Sequence, residues 1–323
     1  MSSDAPTITP VRLGISACLL GQKVRYDGGH KRDAFLVEVF GRYVEWVPVC
    51  PEVEMGLGVP RDALRLELQG DDIRLIMPET GTDYTEGMRA FAATRLAALA
   101  SERLCGYIFK KDSPSCGTER VRLYPNHGVP RKAGQGVFAA ALMQRFPHLP
   151  IEEEGRLNDP RLRENFVARV FAFQRWRQMA EQSISRAALL RFHAQHKFLL
   201  LAHSQVGTQR LGRLVAQPEA SVDAQTLASA YLDGFTEVMR RTPTRRGHTN
   251  VLQHLAGYVS DHLDGDEREE LTQMIEHYRR GLLPLIVPVT LIRHYVRKFR
   301  VAYLLDQVYL TPHPHELMLL NQL

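Results

Sequence analysis

The stretch TEGMRAFAATRLAALASERLCGYIFK, residues 85–110, joins a helix to a short apolar strand. Residues 85–104 are rich in Ala, Leu and Arg, with apolar positions spaced near 3.6 residues, which predicts a helix. The apolar run 104–110 predicts the strand that follows it. Because strand-like runs also occupy 11–20 and 44–50, the order of elements indicates an α/β domain with a parallel, Rossmann-like sheet and helices on both faces.

The C-terminal part of the chain is predicted to be all-α. A Ser-capped helix is expected at 185–204, and an acidic start with an Arg-Arg-Gly end predicts another at 264–281. The apolar segment 282–310 predicts one further long helix. A chain of 323 residues exceeds the roughly 250–300 residues of a single core, so we divide it into an α/β domain, 1–180, and a helical domain, 181–323.

Composition argues against a membrane protein. The hydrophobic fraction is 44% and the charged fraction 24%, and no apolar run approaches the roughly 20 residues that span a bilayer. The first ten residues, MSSDAPTITP, do not resemble a secretion signal, so a cytoplasmic location is expected. Nothing in the pattern indicates an obligatory protein partner.

The basic surplus lies in the second half of the chain. Residues 1–160 hold 20 Lys and Arg against 21 Asp and Glu, whereas residues 161–323 hold 21 against 15. A local excess of +6 suits a polyanion such as nucleic acid, and it equally suits a solvated surface.

Three of the four cysteines follow predicted strands. Cys18, Cys50 and Cys116 each come after an apolar run and before a Gly or Pro. Because the carboxyl ends of parallel strands share one sheet edge, the three thiols are expected to meet there. Three meeting thiols would suit an iron–sulfur cluster with one open iron or a zinc site with a water, and three unrelated buried thiols remain the alternative. Cys105 lies at the start of its strand and is expected in the core.

Several sequence blocks resemble a known family. SACLLGQKVRYDGGHKRD (16–33), PVCPE (48–52) and SPSCG (113–117) closely resemble the bacterial thiouracil desulfidase family. FHAQHKFLLLAHS, NVLQHLAGY and PLIVPVTLIRHY resemble the helical domain of its longer members, which act on 4-thiouridine in tRNA.

The resemblance implies an enzyme with a 4Fe-4S cluster held by Cys18, Cys50 and Cys116 alone. The open fourth iron would bind the thiocarbonyl sulfur while an activated water attacks the ring carbon, a hydrolase-like cleavage without net redox change. It implies tRNA as the partner and uridine as the product. The alternatives are a desulfidase of free thiouracil, whose helical domain serves oligomerisation or another partner, and a non-catalytic iron–sulfur RNA-binding protein.

The expected general base is Glu52, the carboxylate that a motif ties to a cluster ligand, with Ser113 or Ser115 orienting the water. A surface charge at Glu52 and turn-forming serines beside Pro114 are the competing interpretations.

The loop KVRYDGGHKRD (23–33) is a candidate substrate-binding segment. Asp27 could accept from a base edge, while Arg25, Lys110 and Lys111 could bind phosphate; a solvated turn is the alternative.

Weaker RNA-binding candidates lie in the helical domain. They are Lys197 and the stripe Arg293, Arg297 and Arg300, whose spacing suits either phosphate contacts or a solvated helix face. His196 and His203 lie about 10 Å apart along a helix, too far to share an ion, so RNA contact or packing is expected for these histidines.

Overall fold

The computed structural model describes residues 10–125, 128–216, 223–317 and 319–321. It contains two compact units, Met1–Asn158 and Asp159–Leu323. This division falls some 20 residues before the boundary expected from the sequence near residue 180. The difference arises because the helix Pro160–Gln182 belongs to the second unit, whereas the sequence pattern grouped it with the first.

The first unit contains nine strands and three helices among its described residues. The strands are β1 Val11–Ser16, β2 Val44–Val49, β3 Arg65–Gln69, β4 Asp72–Met77, β5 Thr82–Asp83, β6 Gly106–Phe109, β7 Val121–Pro125, β8 Arg131–Gly134 and β9 Ile151–Glu153. The helices are α1 Pro51–Glu54, α2 Thr85–Ser101 and α3 Val137–Arg145.

The predicted parallel sheet is confirmed. Its strand order is β2-β1-β6-β9, and every neighbouring pair runs parallel. In this register Ser16 pairs with Val49, and Ile15 pairs with Ile108. The carboxyl ends of β1, β2 and β6 therefore lie side by side, as the strand–helix–strand order predicted.

Gly14 in β1 leaves space for an aromatic ring of the neighbouring strand β6. A Cβ atom at this position would overlap the ring of Tyr107 on the neighbouring strand. Tyr107 and Phe109 are fully buried, with ring centroids 4.2 Å apart. A glycine in β1 thus makes room for the aromatic core under the sheet.

A second sheet was not predicted from the sequence. It has the order β5-β4-β3-β7-β8, in which only the β3–β7 pair is parallel. Leu66 and Leu75 on its central strands are fully buried. The first unit is therefore an α/β structure with two sheets.

The helical C-terminal region is confirmed. Its helices are α4 Pro160–Gln182, α5 Arg186–His203, α6 Gln205–Ala216, α7 Ala224–Arg240, α8 Arg245–Val259, α9 Gly265–Arg280, α10 Ile286–Lys298 and α11 Ala302–Leu305. The Ser185 side chain caps α5 by accepting from the Ala188 amide. Asp264 and Glu267 form a capping box on α9, and Gly281 ends it in the left-handed conformation.

The prediction of one long helix over 282–310 is wrong. The chain leaves the helix after Lys298, because Phe299 ends α10 and Arg300 has a φ of 51°. The four-residue α11 and a 3-10 turn follow. The apolar spacing continues through this break, since Leu304 and Tyr309 are still buried in the core of the second unit. Within the described ranges, no helix combines the length and apolarity needed to cross a bilayer.

Candidate metal centre

Three cysteines meet at the edge where the parallel strands end. Cys18 lies two residues beyond β1, Cys50 directly follows β2, and Cys116 lies in the loop after β6. All three line one cavity of about 390 Å³. Cys105 is buried elsewhere and does not line this cavity. The structure thus brings together the three thiols that the sequence singled out.

The loop that carries Cys116 is built on the start of α3. The amides of Val137 and Phe138 donate to the carbonyls of Pro114 and Ser115, each at 3.1 Å. The Gly136 amide donates to the Gly117 carbonyl at 2.8 Å. This contact requires a glycine, because a Cβ on Gly136 would lie 2.6 Å from the Ser115 carbonyl group. Helix α3 therefore fixes the position of the Cys116 loop.

Each cysteine is also held by polar neighbours. The Cys50 amide donates to Glu54 Oε1 at 2.9 Å, and its thiol lies 3.7 Å from the Val24 carbonyl. The Lys31 amide donates to the Cys18 carbonyl at 2.9 Å. Ser16 Oγ accepts from the Lys110 amide at 3.0 Å and forms a hydrogen bond with the Cys116 thiol.

Burial keeps these thiols protonated when no cation is bound. It raises the pKa of Cys18 to about 11, with a further contribution from Cys50. It also raises the pKa of Cys50, and it raises the pKa of Cys116 well above its ordinary value. Ionising any one of them makes ionising the next less favourable. A cationic centre in the cavity would reverse this balance, because metal binding deprotonates thiols.

The three thiols are of the ligand type that an iron–sulfur cluster uses, and because each cysteine binds a different iron they need not converge on a single ion. In the parts of the chain that the structure describes, no three His, Cys, Asp or Glu side chains form a group that could hold a metal ion. The three thiols instead border a shared cavity, with Lys110 and Arg25 close enough to lower the pKa of Cys18.

Glu52 lies in a buried network and is not a free surface charge. Its Oε2 accepts from Arg61 at 2.6 and 3.0 Å, and its Oε1 accepts from the Ser115 hydroxyl at 2.8 Å. The side chains of Glu52 and Arg61 are only 14% and 5% exposed. Arg61 also donates to the carbonyls of Val24 and Gly58. Sequence reasoning missed Arg61, because it lies in a loop outside every motif.

The two candidate serines have different surroundings. Ser113 lines the cavity, and its Oγ accepts from the amides of Ser115 and Cys116 at 3.3 and 3.1 Å. It therefore has the turn-forming role, with its hydroxyl hydrogen still able to point elsewhere. Ser115 is fully buried and donates to Glu52.

The substrate-binding candidates are only partly brought together. Arg25, Lys110 and Lys111 line the cavity with the cysteines. Asp27 does not line it, and its carboxylate pairs with Arg25 at 3.3 Å while accepting from the Gly29 amide. Asp27 thus orders the loop around Arg25. The Lys110 ammonium bonds Glu154 at 2.6 Å, a partner that the sequence pattern did not indicate.

The RNA-binding candidates of the second unit are spread out. Lys197 is exposed on α5, and Arg297 and Arg300 are exposed at the end of α10. Arg293 is half-buried, which lowers its pKa together with the nearby Arg297. His196 and His203 are buried, so packing accounts for both.

Comparisons with known proteins agree with these observations. Residues 13–154 match the 2-thiouracil desulfurase family, and residues 197–314 match a family described as a protein of unknown function (DUF1722). The chain is 33% identical over 153 residues to the uncharacterized protein YbgA of Escherichia coli (strain K12), covering 47% of this chain and 90% of that protein.

It is 31% identical over 150 residues to the uncharacterized protein YbbK of Bacillus subtilis (strain 168), covering 45% of this chain and 97% of that protein. It also matches the solved structure of the 4Fe-4S-dependent thiouracil desulfidase TudS at 31% identity. This match covers 46% of this chain and 94% of that chain, with a TM-score of 0.38. By these sequence matches, the chain belongs to the 2-thiouracil desulfurase family and carries an additional C-terminal region of the DUF1722 family.

Proposed function

We propose that this protein is an iron–sulfur desulfidase that converts 4-thiouridine in tRNA to uridine. The observation that carries the proposal is the cavity lined by Cys18, Cys50 and Cys116 together with Glu52. The similar protein TudS is a 4Fe-4S-dependent thiouracil desulfidase, and the chain covers nearly all of its length.

In this proposal Cys18, Cys50 and Cys116 hold a 4Fe-4S cluster. When bound, the cluster supplies a soft Lewis acid for a thiocarbonyl sulfur. The overall reaction replaces C=S by C=O, consuming one water and releasing hydrogen sulfide. Because no electrons are gained or lost, no separate reductant is required.

The protein's own residues then manage the proton of the attacking water. Glu52 lines the cavity, and its Oε1 is linked to the Ser115 hydroxyl. A water in the cavity can release its proton to Glu52, while the buried Ser115 hydroxyl holds Oε1 in place. Arg61 holds the carboxylate in one orientation through two hydrogen bonds, so the base is already positioned when the water arrives.

Arg25 and Lys110 are the groups that would orient the nucleotide. Both line the cavity, and both carry a positive charge beside the cysteines. The ion pair with Glu154 at 2.6 Å holds the Lys110 ammonium in place. Lys110 therefore acts as a hydrogen-bond donor in a fixed position. A carbonyl or phosphate oxygen of the substrate could accept from either side chain.

We assign the preference for tRNA over a free base to the second unit. The match covers 94% of TudS but only 46% of this chain, so the rest of this chain has no counterpart in the match. Residues 159–323 hold 21 Lys and Arg against 16 Asp and Glu, a surplus of +5 that suits RNA. A cytoplasmic location is part of this proposal, because the four cysteines are free thiols and the substrate is tRNA.

Free thiouracil is the second candidate substrate, favoured by the substrate in the name of TudS. Nucleoside mass spectrometry separates the two candidates. Anaerobically purified protein is incubated with bulk tRNA or with free 4-thiouracil, and Cys18→Ala is the control. Loss of 4-thiouridine with a matching gain of uridine is expected. Turnover of the free base alone would overturn the tRNA proposal, and turnover of neither would favour a non-catalytic iron–sulfur protein.

A further inference from the structure

The second unit has a groove whose lining differs from an ordinary helix surface. It has a volume of about 610 Å³ and lies between side chains of α5, α6, α8 and α11. Its lining combines aromatic rings and aliphatic side chains with basic and amide side chains, and none of the described lining residues is acidic. The groove belongs entirely to this unit and is separate from the cysteine cavity.

Two tyrosines form an exposed aromatic surface in this groove. The rings of Tyr258 on α8 and Tyr303 on α11 lie 5.2 Å apart at an interplanar angle of 29°. They are 43% and 39% exposed, although tyrosine rings bury well. Phe198 contacts both rings edge-on, at 6.0 and 6.3 Å, and so fixes their orientation. A rigid ring pair that faces solvent is suited to stacking on a planar ligand.

The polar side chains of the groove are suited to a nucleotide. Lys197 is exposed, and no ion pair involves it within the described ranges. Gln205 and Gln209 each provide an amide donor and acceptor, the pattern that reads base edges. Lys197 can contact phosphate while the amides contact the base.

His193 adds a neutral ring at the floor of the groove. Burial lowers its pKa, and Lys197 lowers it further. Its Nδ1 forms a hydrogen bond with the Tyr231 hydroxyl at 3.1 Å. A Cβ on Gly212 would lie 3.2 Å from His193 Nε2, so the glycine leaves the space beside this nitrogen open.

We infer that this groove binds an unpaired nucleobase of RNA, which stacks on a free outer face of the Tyr258–Tyr303 ring pair while Lys197 contacts the adjoining phosphate. A protein segment or a second copy of the chain could use the apolar rings but would not need a lining of Lys, His and Gln without acidic residues. The inference deepens the proposed function, because it names the part of a tRNA that the second unit recognises: a nucleotide outside the paired stems.

The test compares RNA binding by full-length variants. The probes are a 12-nucleotide single-stranded oligouridylate and a fully paired RNA hairpin with a minimal loop. Tyr258→Ala and Tyr303→Ala should each raise the Kd for the single strand about 10-fold, the usual effect of removing one stacking ring. Tyr258→Phe and Tyr303→Phe should bind as the parent does, because the ring face remains. Leu282→Ala, at a residue that is 63% exposed and outside the groove, is the matched control.

Lys197→Ala supplies a second, independent readout. It should weaken binding at low salt and reduce the slope of log Kd against log salt by about 1. Iron content after anaerobic purification should be unchanged in all these variants, which shows that the first unit is intact. Alanine variants that bind the single strand as tightly as the parent would overturn the inference. The inference would also be overturned if the alanine variants changed their oligomeric state, measured by sedimentation, but not their RNA binding. That result would assign the groove to contact with a second copy of the chain.

The two proposals fail separately. If 4-thiouridine in tRNA is not converted but single-strand binding still depends on both tyrosines, the groove assignment stands and the substrate assignment falls. If conversion occurs with parental KM for tRNA in both alanine variants, the substrate assignment stands and the groove assignment falls.

Discussion

Glu52 has two possible roles that its surroundings allow us to separate. It lines the cysteine cavity, and it also neutralises Arg61 in a nearly dry environment. A base that is also one half of a buried ion pair complicates mutagenesis, because removing its charge affects both turnover and folding.

We expect Glu52→Gln to keep iron and substrate affinity and to lower the turnover rate about 10² to 10⁴ fold, the usual contribution of a positioned base. Arg61→Gln is the matched variant, since it breaks the same ion pair and leaves the carboxylate. It should cost on the order of 3 kcal/mol of stability and retain more turnover than Glu52→Gln. Iron content, KM and kcat are measured for both.

Two outcomes would contradict the base assignment. Equal iron loss in both variants would make Glu52 a structural residue. Near-parental turnover by Glu52→Gln with intact iron would place the base elsewhere, and Asp112, which also lines the cavity, would be tested next.

At the residue scale, the sequence predicted the cysteines but only part of their surroundings. Cys18, Cys50 and Cys116 each follow an apolar strand, and strand ends have a known common location in a parallel sheet. Arg61 and Glu154 were not predictable in this way, because they reach Glu52 and Lys110 through tertiary contacts that no local spacing records. Asp27 was expected to contact the substrate base. Its ion pair with Arg25 could not be predicted, because sequence spacing does not show which side chains turn towards each other in a loop.

At the element scale, the start of α3 determines where Cys116 lies. Gly136→Ala would place a Cβ 2.6 Å from the Ser115 carbonyl and 2.8 Å from the Cys116 amide. We therefore expect loss of most bound iron and about 1–3 kcal/mol of destabilisation, the usual cost of overpacking. Gly257→Ala is the control, because its Cβ meets no atom within 4 Å. It should keep its iron and gain about 0.5–1 kcal/mol. Parental iron content in Gly136→Ala would refute the dependence on α3.

Buried histidines of α5 and α8 predict sensitivity to acid. Burial lowers the pKa of His196 to about 3, of His203 to about 4 and of His248 to about 3. In the unfolded chain each binds its proton near pH 6.5. Their contribution to stability is therefore present above pH 6.5 and is lost as the pH falls towards 4, by up to about 1.4 kcal/mol per pH unit for each histidine.

Glu164 partly opposes this effect. Burial raises its pKa to about 7, so its contribution is present below pH 4.5 and is lost as the pH rises towards 7. Because three histidines oppose one glutamate, the net result should be destabilisation in acid.

Urea unfolding monitored by Trp176 fluorescence in a Trp46→Phe background would measure the free energy of unfolding at each pH. His196→Leu should reduce the slope between pH 6.5 and 5, whereas His294→Leu, at an exposed site, should not. A free energy of unfolding that stays constant over this range would contradict the assignment.

The elements also show where sequence patterns stop being informative. The caps of α5 and α9 were predictable because Ser185, Asp264 and Gly281 act on their own helices. The second sheet was missed because its strands, several of them only two to five residues long, pair across turns and through the distant β3–β7 contact. The break after α10 was missed because the buried apolar positions continue past Arg300.

At the scale of the whole molecule, the two units are expected to separate by function. Residues 1–158 hold 20 Lys and Arg against 20 Asp and Glu, so the positive surplus lies beyond Asn158. We expect a 1–158 fragment to keep iron and turn over a free thiobase, because it contains the three cysteines and all of residues 13–154, which match the 2-thiouracil desulfurase family. It should lose most of its affinity for tRNA. Equal tRNA binding by the fragment and the full chain, measured at the same salt concentration, would contradict this division.

Whether Cys18, Cys50 and Cys116 hold an iron–sulfur cluster can be measured by iron analysis of anaerobically purified protein. We predict brown protein with about four irons per chain, lost on Cys18→Ala, Cys50→Ala or Cys116→Ala and retained on Cys105→Ala. Cys105 is the matched control, since it is equally buried but lies outside the cavity. Zinc in place of iron, or full iron content in any of the first three variants, would contradict the account.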